Sequence, residues 1–420
     1  MPSRRAAALL VLAASTLAAC GAPTTPDGAL RAGAPRGVSN LDVPRDAFRP
    51  EFEAILATVD QSYGLKNAKG IDVGELRTRF GPDIDRAASP EAFYAVLLRL
   101  FSALHNSHSG LVLPASAFAF AGMTTALVGD RLLVAAQPTD AVLADHGVGR
   151  GWEVAAIDDA PIAEWIAGRS ELVSASTTQY GRVAAAAQAT RRFWFEPVAR
   201  RFTLRSPSGD AVTLEIRLDR PSAATAAPPL ATSRAIGEIG YVSVDSLTGA
   251  VVAQFEAELS KVIDKPALIL DLRRNTGGDS SLALPIIAHL IQQPTRVGWP
   301  SQLLQPASSL RYRGPVAVLI GPVTHSAAES LAHNLKDSGR ATFIGSATAG
   351  STGNGPQAFE TTQGVVFRLA TRPGIELSVS GAPTEGTGLA PDIVKEQLYE
   401  DFLAGRDTVL DFAVAYLGRI

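Results

Sequence analysis

Apolar and polar positions change in blocks along residues 235–393, and these blocks predict strands and helices in turn. Short apolar runs rich in β-branched residues predict strands at 239–244, 267–272, 315–320, 342–344 and 365–370. Amphipathic spacing between them predicts helices at 250–262, at 280–291 and from Ser326 onward. A regular alternation of strand and helix is typical of an α/β core covered by helices.

The residues that precede this core divide into two parts with different patterns. Residues 45–110 predict a bundle of two or three helices, because Phe48, Phe52 and Ile55 recur at helical spacing and Ser89-Pro90 is a typical helix start. Residues 111–220 predict a β-rich module with a helical insertion at 162–198.

The β-rich module is followed by a Pro/Ala segment. Residues 221–232 predict a linker, which leaves 233–420 as the core domain. Within the module, the segment from Gly147 through Gly151 to Asp159 resembles the central strand of PDZ domains. The pattern therefore predicts a multi-domain α/β protein in which a helical bundle and a PDZ-like module precede the core.

Composition narrows the class of protein. The 420 residues are 46% hydrophobic and 19% charged, with a net charge of −3, so the chain is core-forming and carries no basic run suited to nucleic acid. We therefore expect no nucleic-acid partner.

The first 44 residues predict an exported, anchored protein. Arg4 and Arg5 precede a short apolar stretch at 6–17, which is typical of a secretory signal spanning 1–19. Leu17-Ala18-Ala19-Cys20 resembles the bacterial lipobox, and Cys20 is the chain's only cysteine. We expect lipidation at Cys20 and a flexible tether at 20–44, with an ordinary signal peptide as the alternative. Gly21 favours the outer membrane, facing the periplasm, by resemblance to bacterial sorting signals.

Ser326 lies where the strand at 315–320 gives way to a helix. Free backbone N–H groups and the helix dipole favour negative charge at such a place, which suits a nucleophilic serine. Ser326-Ala-Ala-Glu329 also has the form of a capping box, in which Glu329 folds back on the helix start. Capping and catalysis are both compatible with this pattern.

Four motifs in order resemble the C-terminal processing (tail-specific) serine protease family. They are Gly240-Tyr-Val-Ser-Val-Asp-Ser246, the segment from Ala267 to Asn275-Thr-Gly-Gly278, Ser326-Ala-Ala-Glu329, and Gly386-Thr-Gly-Leu-Ala-Pro-Asp-Ile393. Many members carry a lysine 25 residues after the serine, but Ser351 occupies that place here. Leu104-His-Asn-Ser107-His108-Ser109 instead resembles the histidine motif of the branch that contains tricorn protease and the interphotoreceptor retinoid-binding proteins.

The resemblance implies a core of the crotonase/ClpP-like ββα kind and a serine–histidine site. It implies Ser326 as nucleophile, His108 as base and Glu385 as the third residue, with Ser107 in support. The residues implied for the oxyanion hole are Ala327, Gly277 and Gly278.

The predicted function is that of a lipid-anchored serine endopeptidase cleaving proteins or peptides near their C-terminal tails, without a cofactor. Two alternatives remain open, namely a catalytically silent binding protein that keeps the fold and an esterase-like hydrolase. His105 and His108 have a spacing that could suit a metal, but no third ligand is marked, so no metal is expected. The sequence does not indicate the oligomeric state.

Overall fold

The computed structural model describes residues 37–221, 228–298, 301–352, 355–372, 379, 381 and 384–419. The predicted signal peptide, Cys20 and residues 20–36 of the predicted tether lie outside the described residues, as do residues 222–227 of the Pro/Ala segment. Among the residues described, no helix combines the length and apolar character needed to cross a membrane.

The bounds of the elements follow in chain order. The α-helices are α1 (Phe48–Ser62), α2 (Val73–Arg86), α3 (Pro90–Ser102), α4 (Ala141–Asp145), α5 (Ile162–Ser170), α6 (Thr178–Ala186), α7 (Val251–Ser260), α8 (Ala283–Ala288), α9 (Ala327–Asp337), α10 (Tyr399–Leu403) and α11 (Thr408–Leu417). The strands are β1 (Gly110–Leu111), β2 (Phe118–Phe120), β3 (Thr125–Val128), β4 (Arg131–Val134), β5 (Glu153–Ile157), β6 (Ala160–Pro161), β7 (Arg191–Phe193), β8 (Ala199–Arg205), β9 (Ala211–Arg217), β10 (Ala231–Ile236), β11 (Ile239–Val244), β12 (Ala267–Asp271), β13 (Thr295–Val297), β14 (Gln302–Leu304), β15 (Val316–Ile320), β16 (Thr342–Gly345), β17 (Pro356–Glu360), β18 (Val366–Ala370) and β19 (Ile393–Val394).

The three N-terminal helices form around an aromatic and aliphatic core. Ser89 caps α3 by accepting a hydrogen bond from the N–H of Ala92, and Pro90 occupies the first helical position. The apolar faces of the helices bury Phe52, Ile55 and Phe93 completely.

The same core also takes in a hairpin from late in the chain. Strands β17 and β18 pair antiparallel, β1 pairs with β18, and Phe359, Phe367 and Leu369 pack among the N-terminal helices. The hydroxyl of Ser39 joins this contact by donating to the carbonyl of Val366, 327 positions away. The N-terminal region and the last third of the chain therefore share one hydrophobic core.

The middle of the chain forms a separate antiparallel sheet of order β3-β4-β5-β8-β9, with β6 paired to β5. One cluster of buried residues, which includes Leu132, Val154, Phe202 and Ile216, packs on this sheet together with α5. Helix α6 lies beside the edge strand β3.

The C-terminal sheet has the order β10-β11-β12-β15-β16-β19. β10 is antiparallel to β11, and every other neighbouring pair is parallel. The central strands β12 and β15 are buried along their whole length because α7, α8 and α9 cover one face and α11 covers the other. The predicted mixed α/β architecture is confirmed at this level.

Loops at the carboxyl ends of the parallel strands meet at one edge of the sheet, the usual position for a site in such sheets. The loop after β12 contains Asn275 and Gly278, the loop after β15 leads to Ser326, and the loop after β16 contains Ser351. An ion network holds C-terminal helix α11 at the same edge, since Arg273 pairs with both Asp271 and Asp407.

Candidate active site

Ser326 occupies the position immediately before α9 in a strained backbone conformation. Its φ is 58° and its ψ is −124°, a region that residues other than glycine rarely adopt. Such strain costs about 1–3 kcal/mol and persists only where the surrounding structure enforces it. A serine on a sharp strand-to-helix turn projects its hydroxyl clear of the sheet, as in nucleophile elbows.

His108 reaches this hydroxyl from the loop after α3. Its Nε2 lies 2.8 Å from Oγ of Ser326, across 218 positions of sequence. Asn106 shapes the loop, because its Oδ1 accepts hydrogen bonds from the N–H of His108 and the hydroxyl of Ser109. Burial, and then the positive charge of Arg368, lower the pKa of His108 from 6.5 to about 4. The imidazole is therefore neutral at pH 7 and able to accept a proton.

The other nitrogen of His108 meets a cluster of serine hydroxyls. Nδ1 lies 3.2 Å from Oγ of Ser351, the residue at the position where many relatives carry lysine. Oγ of Ser351 is hydrogen-bonded to Oγ of Ser107, and Oγ of Ser176 lies 3.3 Å from that of Ser107. Ser351 is completely buried and Ser176 nearly so. Hydroxyl groups thus occupy the place of the carboxylate in a Ser-His-Asp arrangement.

A second histidine completes this cluster. The ring of His325 lies between those of His108 and Tyr180, at centroid distances of 5.0 and 5.2 Å. Its Nε2 is 2.9 Å from Oγ of Ser107, and its Nδ1 is 3.3 Å from the carbonyl oxygen of Thr276. Burial, with a smaller contribution from His108, lowers the pKa of His325 to about 3, so this ring is also neutral at pH 7.

Glu385 lies at the edge of this group of side chains. One carboxylate oxygen is 2.9 Å from Nζ of Lys69 and 3.2 Å from Nδ2 of Asn106, and the other accepts the N–H of Thr352 at 2.8 Å. Since Asn106 in turn holds the backbone of His108, these contacts of Glu385 brace the loop that presents the base.

Glu329 ties the serine to the loop after β16. Its buried carboxylate accepts hydrogen bonds from the N–H groups of Ser326, Gly350 and Ser351 and from the hydroxyl of Thr348, at 2.6–3.1 Å. Burial raises the pKa of Glu329 to about 7, although each of these hydrogen bonds lowers it. One carboxylate therefore fixes the backbone of both Ser326 and Ser351.

The three residues predicted for the oxyanion hole lie together, but their amides differ. The N–H of Gly277 donates to Oδ1 of Asn275 and is therefore occupied. The N–H groups of Gly278 and Ala327 have no hydrogen-bond acceptor within the described part of the chain. Gly277 and Gly278 have φ values of 99° and 138°, and a methyl group on Gly277 would lie 2.8 Å from Cβ of Ser326. Glycine is required for this close approach.

The structure thus brings Ser326, His108, Ser107, Ala327 and Gly278 together and places Glu385 next to Asn106 and Lys69. Sequence reasoning missed Lys69, Ser176, Tyr180 and His325. The first three come from distant segments without a local signal, and His325 adjoins Ser326 in the chain, whereas neighbouring residues within a helix do not face each other. His325 in fact precedes the helix. No cluster of three metal-ligating side chains occurs among the residues that the structure describes.

A strained serine, a neutral histidine at hydrogen-bond distance and two free amides have the geometry of a serine-nucleophile hydrolase site. Residues 238–395 match the model of peptidase family S41. The resemblance to the tail-specific and tricorn proteases is confirmed by this match and by the relatives that follow.

Two curated relatives match the chain in sequence. A carboxy-terminal-processing protease of Bartonella bacilliformis is 26% identical over 228 residues, which cover 49% of this chain and 52% of the relative. A putative tricorn protease homolog 2 of Streptomyces coelicolor is 24% identical over 372 residues, which cover 82% of this chain and 30% of the relative. The chain thus spans about half the length of the first relative and less than a third of the second.

The fold as a whole is shared with a solved structure. Mature CPAF complexed with lactacystin superimposes with a TM-score of 0.69 at 15% identity, covering 89% of this chain and 97% of that one. The likeness therefore extends beyond residues 238–395 to most of the described chain.

Proposed function

We propose that the protein is a serine endopeptidase in which Ser326 is the nucleophile and His108 the general base. The observation that carries the proposal is the 2.8 Å contact between Oγ of Ser326 and Nε2 of a histidine that is neutral at pH 7. A neutral imidazole at this distance can take the hydroxyl proton as the oxygen attacks a carbonyl carbon.

In the first step Oγ of Ser326 bonds to the peptide carbonyl carbon while its proton passes to Nε2 of His108. The free N–H groups of Gly278 and Ala327 are the donors for the oxyanion that forms, and each such donor contributes on the order of 10²–10³ in rate. The imidazolium then gives its proton to the leaving amine, and the C–N bond breaks. Water hydrolyses the acyl-enzyme with His108 as base again, which regenerates Ser326.

The surroundings of His108 would support the charge that forms in this cycle. Nδ1 donates to Ser351 in both the neutral and the protonated ring. Glu385 holds Asn106, and through it the loop that keeps the ring on the serine, while Ser351 occupies the position at Nδ1 where the third member of a triad would lie. In this proposal Glu385 and Ser107 are positioning residues.

Substrate tails are the proposed target, and the name of the Bartonella relative, a carboxy-terminal-processing protease, supports this choice. The PDZ-like interpretation of residues 111–220 fits the same role, because β3 lies at the edge of its sheet and an extended peptide could add to it. We further propose that the domains divide after residues 110, 220 and 232. We also propose that the protein is exported and is held at the bacterial outer membrane by a lipid on Cys20.

The test is labelling with a serine-directed fluorophosphonate. Wild type and Ser330→Ala, a serine on α9 one turn beyond the site, should be labelled, whereas Ser326→Ala should not. Mass spectrometry should place the adduct on Ser326. A folded wild-type protein that stays unlabelled contradicts the proposal and favours a silent binding protein. Peptide cleavage by the same samples, compared with ester hydrolysis, separates a peptidase from an esterase.

A further inference from the structure

The hydrogen bonds around His325 have a direction that one backbone carbonyl determines. The oxygen of Thr276 can only accept, so the hydrogen of the neutral His325 ring is on Nδ1, at 3.3 Å. Nε2 of His325 then carries a lone pair, and the hydroxyl of Ser107, 2.9 Å away, must donate to it.

The donor and acceptor roles of Ser107 and Ser351 follow in the same way. Ser107 has used its hydrogen on His325, so its Oγ accepts from the hydroxyl of Ser351. Oγ of Ser351 in turn accepts from Nδ1–H of His108 at 3.2 Å. His108 is thereby left with a bare Nε2 facing Ser326, 2.8 Å away, which is the only neutral tautomer that can act as base.

Ser176 is compatible with this direction. Its Oγ accepts the N–H of Ser107 at 3.2 Å, and its hydroxyl is placed to donate to Ser107 or to Ser351, at 3.3 and 3.5 Å. Each serine oxygen has a second lone pair, so neither arrangement reverses the chain of donors from Ser326 to Thr276.

We propose that His325 is a positioning residue that selects the reactive tautomer of His108 through Ser351 and Ser107. It does this by accepting from Ser107 at Nε2 while its Nδ1–H donates to the carbonyl of Thr276, and it acts through the two serines rather than on Oγ of Ser326. Without it, the hydroxyls of Ser107 and Ser351 can turn around and donate toward Nδ1 of His108. The hydrogen of His108 then moves to Nε2, where it blocks proton transfer from Ser326. The expected change in rate rests on the proposed function, whereas the expected change in the tautomer of His108 does not.

The experiment combines ¹⁵N–¹H long-range NMR of histidine-labelled protein at pH 7 with fluorophosphonate labelling. His325→Phe keeps an aromatic ring between His108 and Tyr180 but removes the acceptor. His325→Gln is the conservative variant, because its amide N–H can meet Thr276 while its oxygen accepts from Ser107. His333→Phe is the matched control, since His333 is a second buried histidine, located within α9.

The signals of His108 should show Nδ1–H in wild type, His325→Gln and His333→Phe, and Nε2–H in a large part of the His325→Phe population. The labelling rate of His325→Phe should fall about 10-fold, the factor that corresponds to one net hydrogen bond. His325→Gln should recover most of that loss. If His325→Phe does not fold, Ser107→Ala is the second variant. It removes the hydroxyl that accepts from Ser351 and donates to His325, so it should change the His108 tautomer in the same way.

Two outcomes separate this inference from the proposed function. An unlabelled wild type whose His108 is Nδ1–H, and shifts in His325→Phe, overturns the function and supports the positioning role. A labelled wild type whose tautomer and rate are unchanged in His325→Phe overturns the positioning role and leaves the function standing. Nε2–H on His108 in wild type also overturns it.

Discussion

Oγ of Ser351 lies 3.2 Å from Nδ1 of His108, so a neutral hydroxyl, and not a carboxylate, holds the histidine of this site. A hydroxyl can accept the Nδ1–H bond but cannot neutralise an imidazolium. In the proposed acyl transfer, the charge on the imidazolium would therefore be stabilised less locally than in a Ser-His-Asp site.

Replacing Ser351 should slow the reaction without abolishing it. Ser351→Ala removes the acceptor of Nδ1–H, so the rate of fluorophosphonate labelling should fall about 10-fold, the value of one net hydrogen bond. Ser346→Ala, in the same loop after β16, is the control and should react like wild type. An unchanged rate in Ser351→Ala would show that another group takes over at Nδ1.

The acid limb of the labelling rate, plotted against pH, should lie at an unusually low pH. Burial and Arg368 lower the pKa of His108 to about 4, so the base form persists above that pH and labelling is lost as the pH falls through it. His325, whose pKa is lowered to about 3, is neutral over the same range, and Glu385 lies nearby with Lys69. Labelling rates from pH 3.5 to 8, with circular dichroism to verify folding, measure this limb.

Arg368 provides the matched variant for that profile. Arg368→Met removes the positive charge, so the pKa of His108 should rise and the acid limb should move to higher pH. A limb near 6.5 that moves in Arg368→Met would contradict the enclosed environment of His108, whereas a limb near 7 that does not move would report Glu329, whose pKa burial raises to about 7.

Gly278 should tolerate no side chain. A methyl group there would overlap the carbonyl of Leu247 at a φ of 138°, so Gly278→Ala must displace the N–H proposed for the oxyanion. The loss of one such donor lowers the rate on the order of 10²–10³-fold. Gly237→Ala is the control, because its φ of 58° is also positive but nothing lies within 4 Å of the added carbon. Equal labelling of both variants would remove Gly278 from the oxyanion hole.

The ion pair of Lys69 with Glu385 should contribute to stability. Only 14% and 5% of the two side chains are exposed, so Lys69→Met leaves a buried carboxylate without its cation and should cost about 3 kcal/mol of unfolding free energy. Lys66→Met, three residues earlier, breaks the more exposed pair with Asp60 and should cost less than about 1 kcal/mol. Urea unfolding of the two variants measures both losses of unfolding free energy. Equal losses would refute a larger contribution from the buried pair.

The sequence signals for the two central side chains are local. The strand before Ser326 and the polar motif around His108 each show up within a dozen residues, so both side chains could be chosen before their contact was known. Glu329 was recognised as a helix cap, and it does bond the N–H of Ser326, but its hold on Ser351 depends on the loop after β16.

The contacts that escaped prediction are those between segments far apart in the chain. No periodicity indicates that β17 and β18 pack among the N-terminal helices, because strand pairing is set by tertiary contacts and not by either strand alone. For the same reason Tyr180 and Lys69 gave no sign that they border the site. His325 precedes the first turn of α9, so helical spacing does not indicate which side chains it contacts.

The core shared by the N-terminal helices and the late hairpin has a consequence for timing. During synthesis, His108 emerges long before Ser326, and the strand that fixes β1 follows later still. Until Ser326 and β18 have been made, a nascent chain therefore contains His108 without its partner serine, and the proposed reactivity cannot appear. If the proposed function holds, this order of assembly keeps the incomplete enzyme inactive.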